Sequence, residues 1–225
     1  MTMSEARPGE EAWSWIESGD LAVGGCLIFV RGGRPEQVIE AFGADLGSAR
    51  MLSAAQLNKG LLFPVFDREA NIVRPWLRVG RTGEWAFGID QTGPDVLGFY
   101  RDVGLRLSAG SEAVVVLWTA KPTSDVEYMA DGELVTSFAP EMASDRTGSE
   151  PDRFLREMRE AGLIIESPAP SPGRQPDRAE RQEPDLDDPL SAAMHMLTLA
   201  LGIRLPRVVA AGPLLTVQRE SGRLA

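Results

Sequence analysis

One histidine (His195), one cysteine (Cys26) and two lysines (Lys59, Lys121) are all that 225 residues provide. Each scarcity excludes a chemistry. A lone cysteine cannot close an intramolecular disulfide, so nothing points to an oxidising compartment. Zinc sites built from Cys and His need more ligands than the chain holds. Hydrolytic triads need a base beside the nucleophile, usually histidine. The only histidine lies in the apolar run Ala193-Met194-His195-Met196-Leu197, where a packed imidazole is expected rather than a catalytic one. Asn58-Lys59-Gly60 lacks the upstream glycine and the following Ser or Thr of a phosphate loop. Gly24-Gly25 and Gly32-Gly33 flank a strand without the spacing of a dinucleotide fingerprint. Long apolar runs are also missing, so no membrane span is expected. Met1 to Trp13 carries Glu5, Glu10 and Glu11 and does not read as a signal peptide. A cytoplasmic protein is expected.

What is present is acid and enough apolar residue for a core. The net charge of -10 repels nucleic-acid phosphates and anionic lipid, and would attract a basic protein. A hydrophobic content of 43% suits a folded domain of ordinary surface. Composition changes sharply at residues 167–189, where six prolines alternate with Arg, Asp and Glu around the single large apolar Leu186. That stretch is expected to be an extended, acidic, disordered linker. It divides a main domain, residues 10–166, from a C-terminal segment, residues 190–225. Asp185-Leu186-Asp187-Asp188 could bind a hard cation, but lacks the rest of a coordination loop and reads as a solvated acidic run.

Within the main domain, Glu10 to Ser18 reads as a short helix, and Gly25 to Arg31 as a strand buried on both faces. Pro35 opens a helix with Val38, Ile39 and Phe42 inward and Gly43 as the stop. Residues 44–73 are poorly legible, with Leu52 to Asn58 a candidate helix. Trp76 to Gly80 and Glu84 to Asp90 form a hairpin across Arg81-Thr82-Gly83, with one face of the second strand buried through Trp85, Phe87 and Ile89. Gly98 and Gly104 weaken the case for a helix over Asp95 to Leu107. Ala113 to Trp118 is a central strand. Asp131-Gly132 joins Val126 to Ala130 with Glu133 to Phe138 in a tight hairpin that sets Tyr128 opposite Val135. A last helix starts at Ser149, lines Phe154, Leu155, Met158 and Ala161 inward, and ends at Gly162. Leu190 to Leu201 is apolar around much of its circumference and must be covered, by its own main domain or by another chain. Strands with adjacent hairpins plus flanking helices give an α+β fold on a mainly antiparallel sheet, with the C-terminal apolar helix docking on it.

Gly83-Glu84-Trp85-Ala86-Phe87-Gly88, then Tyr128 to Phe138 (Tyr-Met-Ala-Asp-Gly-Glu-Leu-Val-Thr-Ser-Phe), then Arg146-Thr147-Gly148-Ser149-Glu150-Pro151-Asp152 carry a resemblance. The chain resembles an uncharacterised actinobacterial family, a domain of unknown function, over residues 13–165 and the C-terminal apolar helix. The resemblance implies no activity and no catalytic residues.

No catalytic residue, cofactor or metal ligand is therefore expected. The function expected is a non-enzymatic protein-interaction module, immunity-like, accessory or regulatory. It would bind a basic protein partner through an acidic or aromatic surface, with Glu84, Trp85, Asp90, Tyr128 and Glu133 as candidate contacts and no nucleic acid or membrane as partner. The alternative is a small-molecule-binding domain or a carboxylate-based enzyme, with Glu84 and Asp90, or Glu127 and Glu133, as acid and base; a pocket lined by Glu84, Asp90 and Tyr128 would favour it.

Overall fold

A computed structural model of the protein describes residues 13, 15–16, 24–60, 65–67, 72–90, 97–119, 123–164 and 188–219. The expected linker falls outside these up to residue 187, as does most of the expected first helix. Ten strands are described: β1 (Gly24–Arg31), β2 (Arg50–Leu52), β3 (Val65–Asp67), β4 (Ile72–Arg74), β5 (Trp76–Thr82), β6 (Trp85–Asp90), β7 (Glu112–Thr119), β8 (Ser124–Ala130), β9 (Glu133–Phe138) and β10 (Leu214–Gln218). The helices are α1 (Pro35–Ala41), α2 (Ala54–Gly60), α3 (Leu97–Leu107), α4 (Leu155–Glu160), α5 (Pro189–Leu201) and α6 (Arg207–Ala211). Eight strands form one antiparallel sheet in the order β2-β10-β5-β6-β1-β7-β8-β9, and β3 pairs with β4 separately. The architecture is α+β.

Strand alternation divides the core into two. On the front of the sheet, Leu27, Phe29, Trp85, Phe87, Val114, Val116 and Tyr128 pack with Met158 of α4 and with Ala193, Met194 and Leu197 of α5. On the back, Ile28, Val30, Leu77, Val79, Val115 and Met129 pack with Val38 and Ile39 of α1 and Tyr100 and Val103 of α3. Trp13 and Trp15 meet the C-terminal segment on the front. The Trp13 indole donates to Thr198 Oγ1 at 3.0 Å, and the Trp15 indole to the Leu205 carbonyl at 2.7 Å. The C-terminal segment also supplies β10, which lies between β2 and β5.

Several local expectations are corrected. The β5–β6 turn is the two residues Gly83-Glu84 rather than Arg81-Thr82-Gly83, with Thr82 paired to Trp85. Both faces of β6 are buried, not one, because helices cover the sheet on both sides. Gly88 makes this possible: a Cβ there would lie 3.0 Å from both Ile28 and Val38. Asp131 and Gly132 do hold the positive φ of a tight hairpin turn (52° and 80°). A bulge shifts the register, however, so Tyr128 faces Thr136 rather than Val135. The Val135 carbonyl instead accepts from the Glu150 amide at 2.8 Å. Ser149 does not cap α4: its hydroxyl donates to the Leu134 carbonyl, and α4 begins only after Phe154.

Helix α3 forms despite its glycines, and Gly104 is the reason it fits. A Cβ at that position would lie 2.4 Å from the sulfur of buried Met129 and 3.0 Å from Val115. Gly104→Ala is therefore expected to destabilise the protein by about 1–3 kcal/mol through overpacking, although alanine is the better helix former. Urea unfolding measures the difference. Stabilisation would mean that α3 can lift from the sheet without loss.

Candidate functional site

Antiparallel pairing brings the ends of five strands to one margin of the sheet. Arg31 ends β1 opposite Trp85, which begins β6; Glu112 begins β7 opposite Ala130, which ends β8; Glu133 begins β9. The Arg31 guanidinium lies over the Trp85 ring, 4.8 Å from its centroid. Two carboxylates flank it. Arg31 Nε is 3.2 Å from Glu112 Oε2, an ion pair without hydrogen-bond alignment, and Arg31 Nη1 is 3.8 Å from Glu84 Oε2. Glu84 is 80% exposed, so that contact is weak and its charge remains available to solvent. Behind this cluster the Tyr128 ring packs edge-on against Phe154 at 5.0 Å. Burial, and then the charge of the Glu112 carboxylate, raise its pKa.

Three of the sequence-selected residues, Glu84, Trp85 and Tyr128, thus gather around Arg31 and Glu112. Glu133 is exposed at the neighbouring hairpin. Trp85 and Tyr128 are buried and shape the floor rather than the surface. Arg31 and Glu112 were missed because each is a charged residue at a strand end, which sequence alone reads as ordinary boundary polarity. Arg34 and Arg81 are also exposed at this margin, so its charge is mixed.

Asp90 belongs elsewhere, and its selection as an exposed contact is corrected. It ends β6, on the back of the sheet beside Cys26 and Leu77, and is wholly buried. Arg219 Nε donates to Asp90 Oδ2 at 2.6 Å, the Tyr100 hydroxyl donates to the same oxygen at 3.1 Å, and Arg219 Nη2 donates to the Tyr100 oxygen at 3.2 Å. The guanidinium also lies 5.0 Å from the Phe99 ring centroid and 5.9 Å from those of Phe42 and Tyr100. Nearby, burial first and then the Asp90 charge hold the Cys26 thiol well above its ordinary pKa, so it is an unreactive thiol.

Other carboxylates proposed as acid and base are separated too. Glu127 is buried on the back and ion-paired with Arg101, whose pKa the Glu127 hydrogen bond raises, while Glu133 is exposed at the start of β9, paired with Ala130 three residues along β8. Asp125 has a raised pKa through burial and then the charges of Glu127 and Glu141. Glu141 in turn accepts from the Ser124 hydroxyl at 2.6 Å. Glu84 and Asp90 lie at opposite ends of β6, so they and Tyr128 do not line one pocket. Among the described residues no three His, Cys, Asp or Glu side chains are grouped to hold a metal ion. No helix among them is long and apolar enough to cross a membrane.

No curated protein and no solved structure matches the chain. A family profile does match, over residues 8–206, and so reaches from the N-terminal tryptophans through the Arg31–Trp85 cluster to α5. The chain belongs to this family, described as a family of unknown function (DUF6461).

Proposed function

We propose that the protein is a cytoplasmic, non-enzymatic interaction module that binds a basic protein partner at the Arg31–Trp85 margin of the sheet. The observation that carries this reading is the Arg31 guanidinium stacked on Trp85 between Glu84 and Glu112. Arginine and tryptophan are enriched where interfaces concentrate their binding energy. A cation already stacked and partly paired loses little freedom on binding. The carboxylates beside it offer acceptors to a partner's Arg or Lys, and the -10 net charge favours encounter with a basic surface.

Site-specific photo-crosslinking tests the location. A benzophenone side chain at position 84 or 133 is expected to trap the partner in the native host, whereas one at exposed Asp102 of α3 traps none. Equal trapping from position 102 would place the interface elsewhere. A small-molecule or carboxylate-enzyme reading would be favoured instead by turnover that survives Glu84→Lys but not substitution of Asp125 or Glu127.

A further inference from the structure

We propose that Arg78 and Trp76 form a receptor for a small oxyanion, a carboxylate or a phosphate group, on the front of the sheet. Strands β5 and β10 run side by side with Trp76 opposite Gln218 and Arg78 opposite Thr216. These four residues share the front, while Leu77, Val79 and Val217 between them enter the apolar core at the back. The middle of this block is polar yet buried, with Arg78 retaining 3% exposure and Thr216 1%, while Trp76 and Gln218 at its margin are half-buried.

Arg78 Nη1 donates to the Ala210 carbonyl at 2.7 Å, and Nη2 to the Gly212 carbonyl at 2.8 Å, at the end of α6. A clamp on α6 explains those two bonds and nothing more. Arg78 Nε and Trp76 Nε1 are both shielded from solvent, and neither has an acceptor. Buried N–H groups are nearly always paired, so two orphans on one face of one strand require a reason. Residues two apart on a strand are about 6.6–7 Å apart, which lets long side chains converge on a single group.

The charge balance identifies the ligand. No carboxylate among the described residues pairs with Arg78, and burial pulls its pKa down to about 10. A neutral carbonyl would satisfy the orphan N–H groups but leave that charge uncompensated. An oxyanion does both, because the guanidinium fork matches carboxylate and phosphate geometry.

The test uses the full-length, nitrogen-15-labelled protein. Its five tryptophans give separate indole N–H signals, and the one lost in Trp76→Phe belongs to Trp76. Sodium phosphate and sodium acetate are titrated separately, with sodium chloride holding ionic strength constant. The Trp76 signal is expected to move and saturate with at least one anion while the other indoles move far less. Saturation by phosphate alone assigns a phosphate ligand, and by acetate alone a carboxylate. Arg78→Lys keeps the charge but loses Nε, and should raise the midpoint about tenfold or more. Thermal unfolding is a second readout that does not depend on that variant folding. The anion should raise Tm in the wild type and raise it less than half as much in Trp76→Phe, whose anion-free Tm is unchanged or higher. A Trp76 signal that stays still, or drifts without saturating up to about 100 mM of both anions, overturns the proposal. So does a full thermal response in Trp76→Phe.

Discussion

Arg219→Met is expected to destabilise the protein by about 3–5 kcal/mol, the range for removing one partner of a buried ion pair. The cost arises less from the lost bonds than from what remains. Asp90 is wholly buried between β1 and β5, and without the guanidinium its charge loses the 2.6 Å bond from Arg219 Nε that offsets its burial. Methionine restores most of the volume among Phe42, Phe99 and Tyr100, so the effect is largely electrostatic. The double variant Asp90→Asn, Arg219→Met should recover a substantial part, because it removes the buried charge as well as its counterion. Denaturant unfolding of the four proteins in this cycle measures the coupling. A loss below about 1 kcal/mol in the single variant would mean the pair is solvated and does not anchor β10.

A charge inside the other core should be as costly. Leu197 of α5 is fully buried on the front, beside the Thr198 hydroxyl that receives the Trp13 indole. Leu197→Asp should cost several kcal/mol, about the 3–5 expected for an unpaired buried charge. Leu197→Ala, which leaves only a cavity, should cost about 2–5 kcal/mol. Near-ultraviolet circular dichroism should report loosening of Trp13 and Trp15, since both indoles bond to this C-terminal segment. Wild-type stability in Leu197→Asp would show that α5 does not pack on this sheet.

Local signals made much of this fold readable. The apolar run of β1, the proline start of α1, the valines of β7 and the Asp131-Gly132 turn each specify an element through neighbouring residues. Leu190 to Leu201 showed that it needed a cover. What stayed hidden depends on distant partners. The pairing of Asp90 with Arg219 spans 129 positions, and no periodicity links them. Strand β10 is five residues long and becomes legible only between β2 and β5. Gly104 reads as a helix breaker until Met129 is placed against it.

The candidate cluster was half legible for the same reason. Trp85 and Tyr128 stand out as aromatics on strands, and Glu84 as an acid at a turn. Arg31 and Glu112, which join them, gain meaning only when antiparallel register sets the end of β1 beside the start of β7. Asp90 reads as exposed in the sequence because the alternation along β6 predicts one buried face. Its central position, between β5 and β1, buries both.

The proposed interaction margin is tested most directly by the association rate of the crosslinked partner, measured against ionic strength for wild type, Glu84→Lys and Glu133→Lys. Steered encounter weakens as salt shortens the Debye length from about 10 Å at 0.1 M. The wild-type rate is expected to fall as salt rises, while dissociation changes less. Each reversal should lower the low-salt rate by about threefold, a share of the 10–10³ that steering can supply in total, and flatten the salt slope. Both reversals should leave the unfolding midpoint within the small range of exposed substitutions, about 0.5 kcal/mol. A wild-type rate insensitive to salt, or reversals that leave rate and slope unchanged, would contradict binding at this margin.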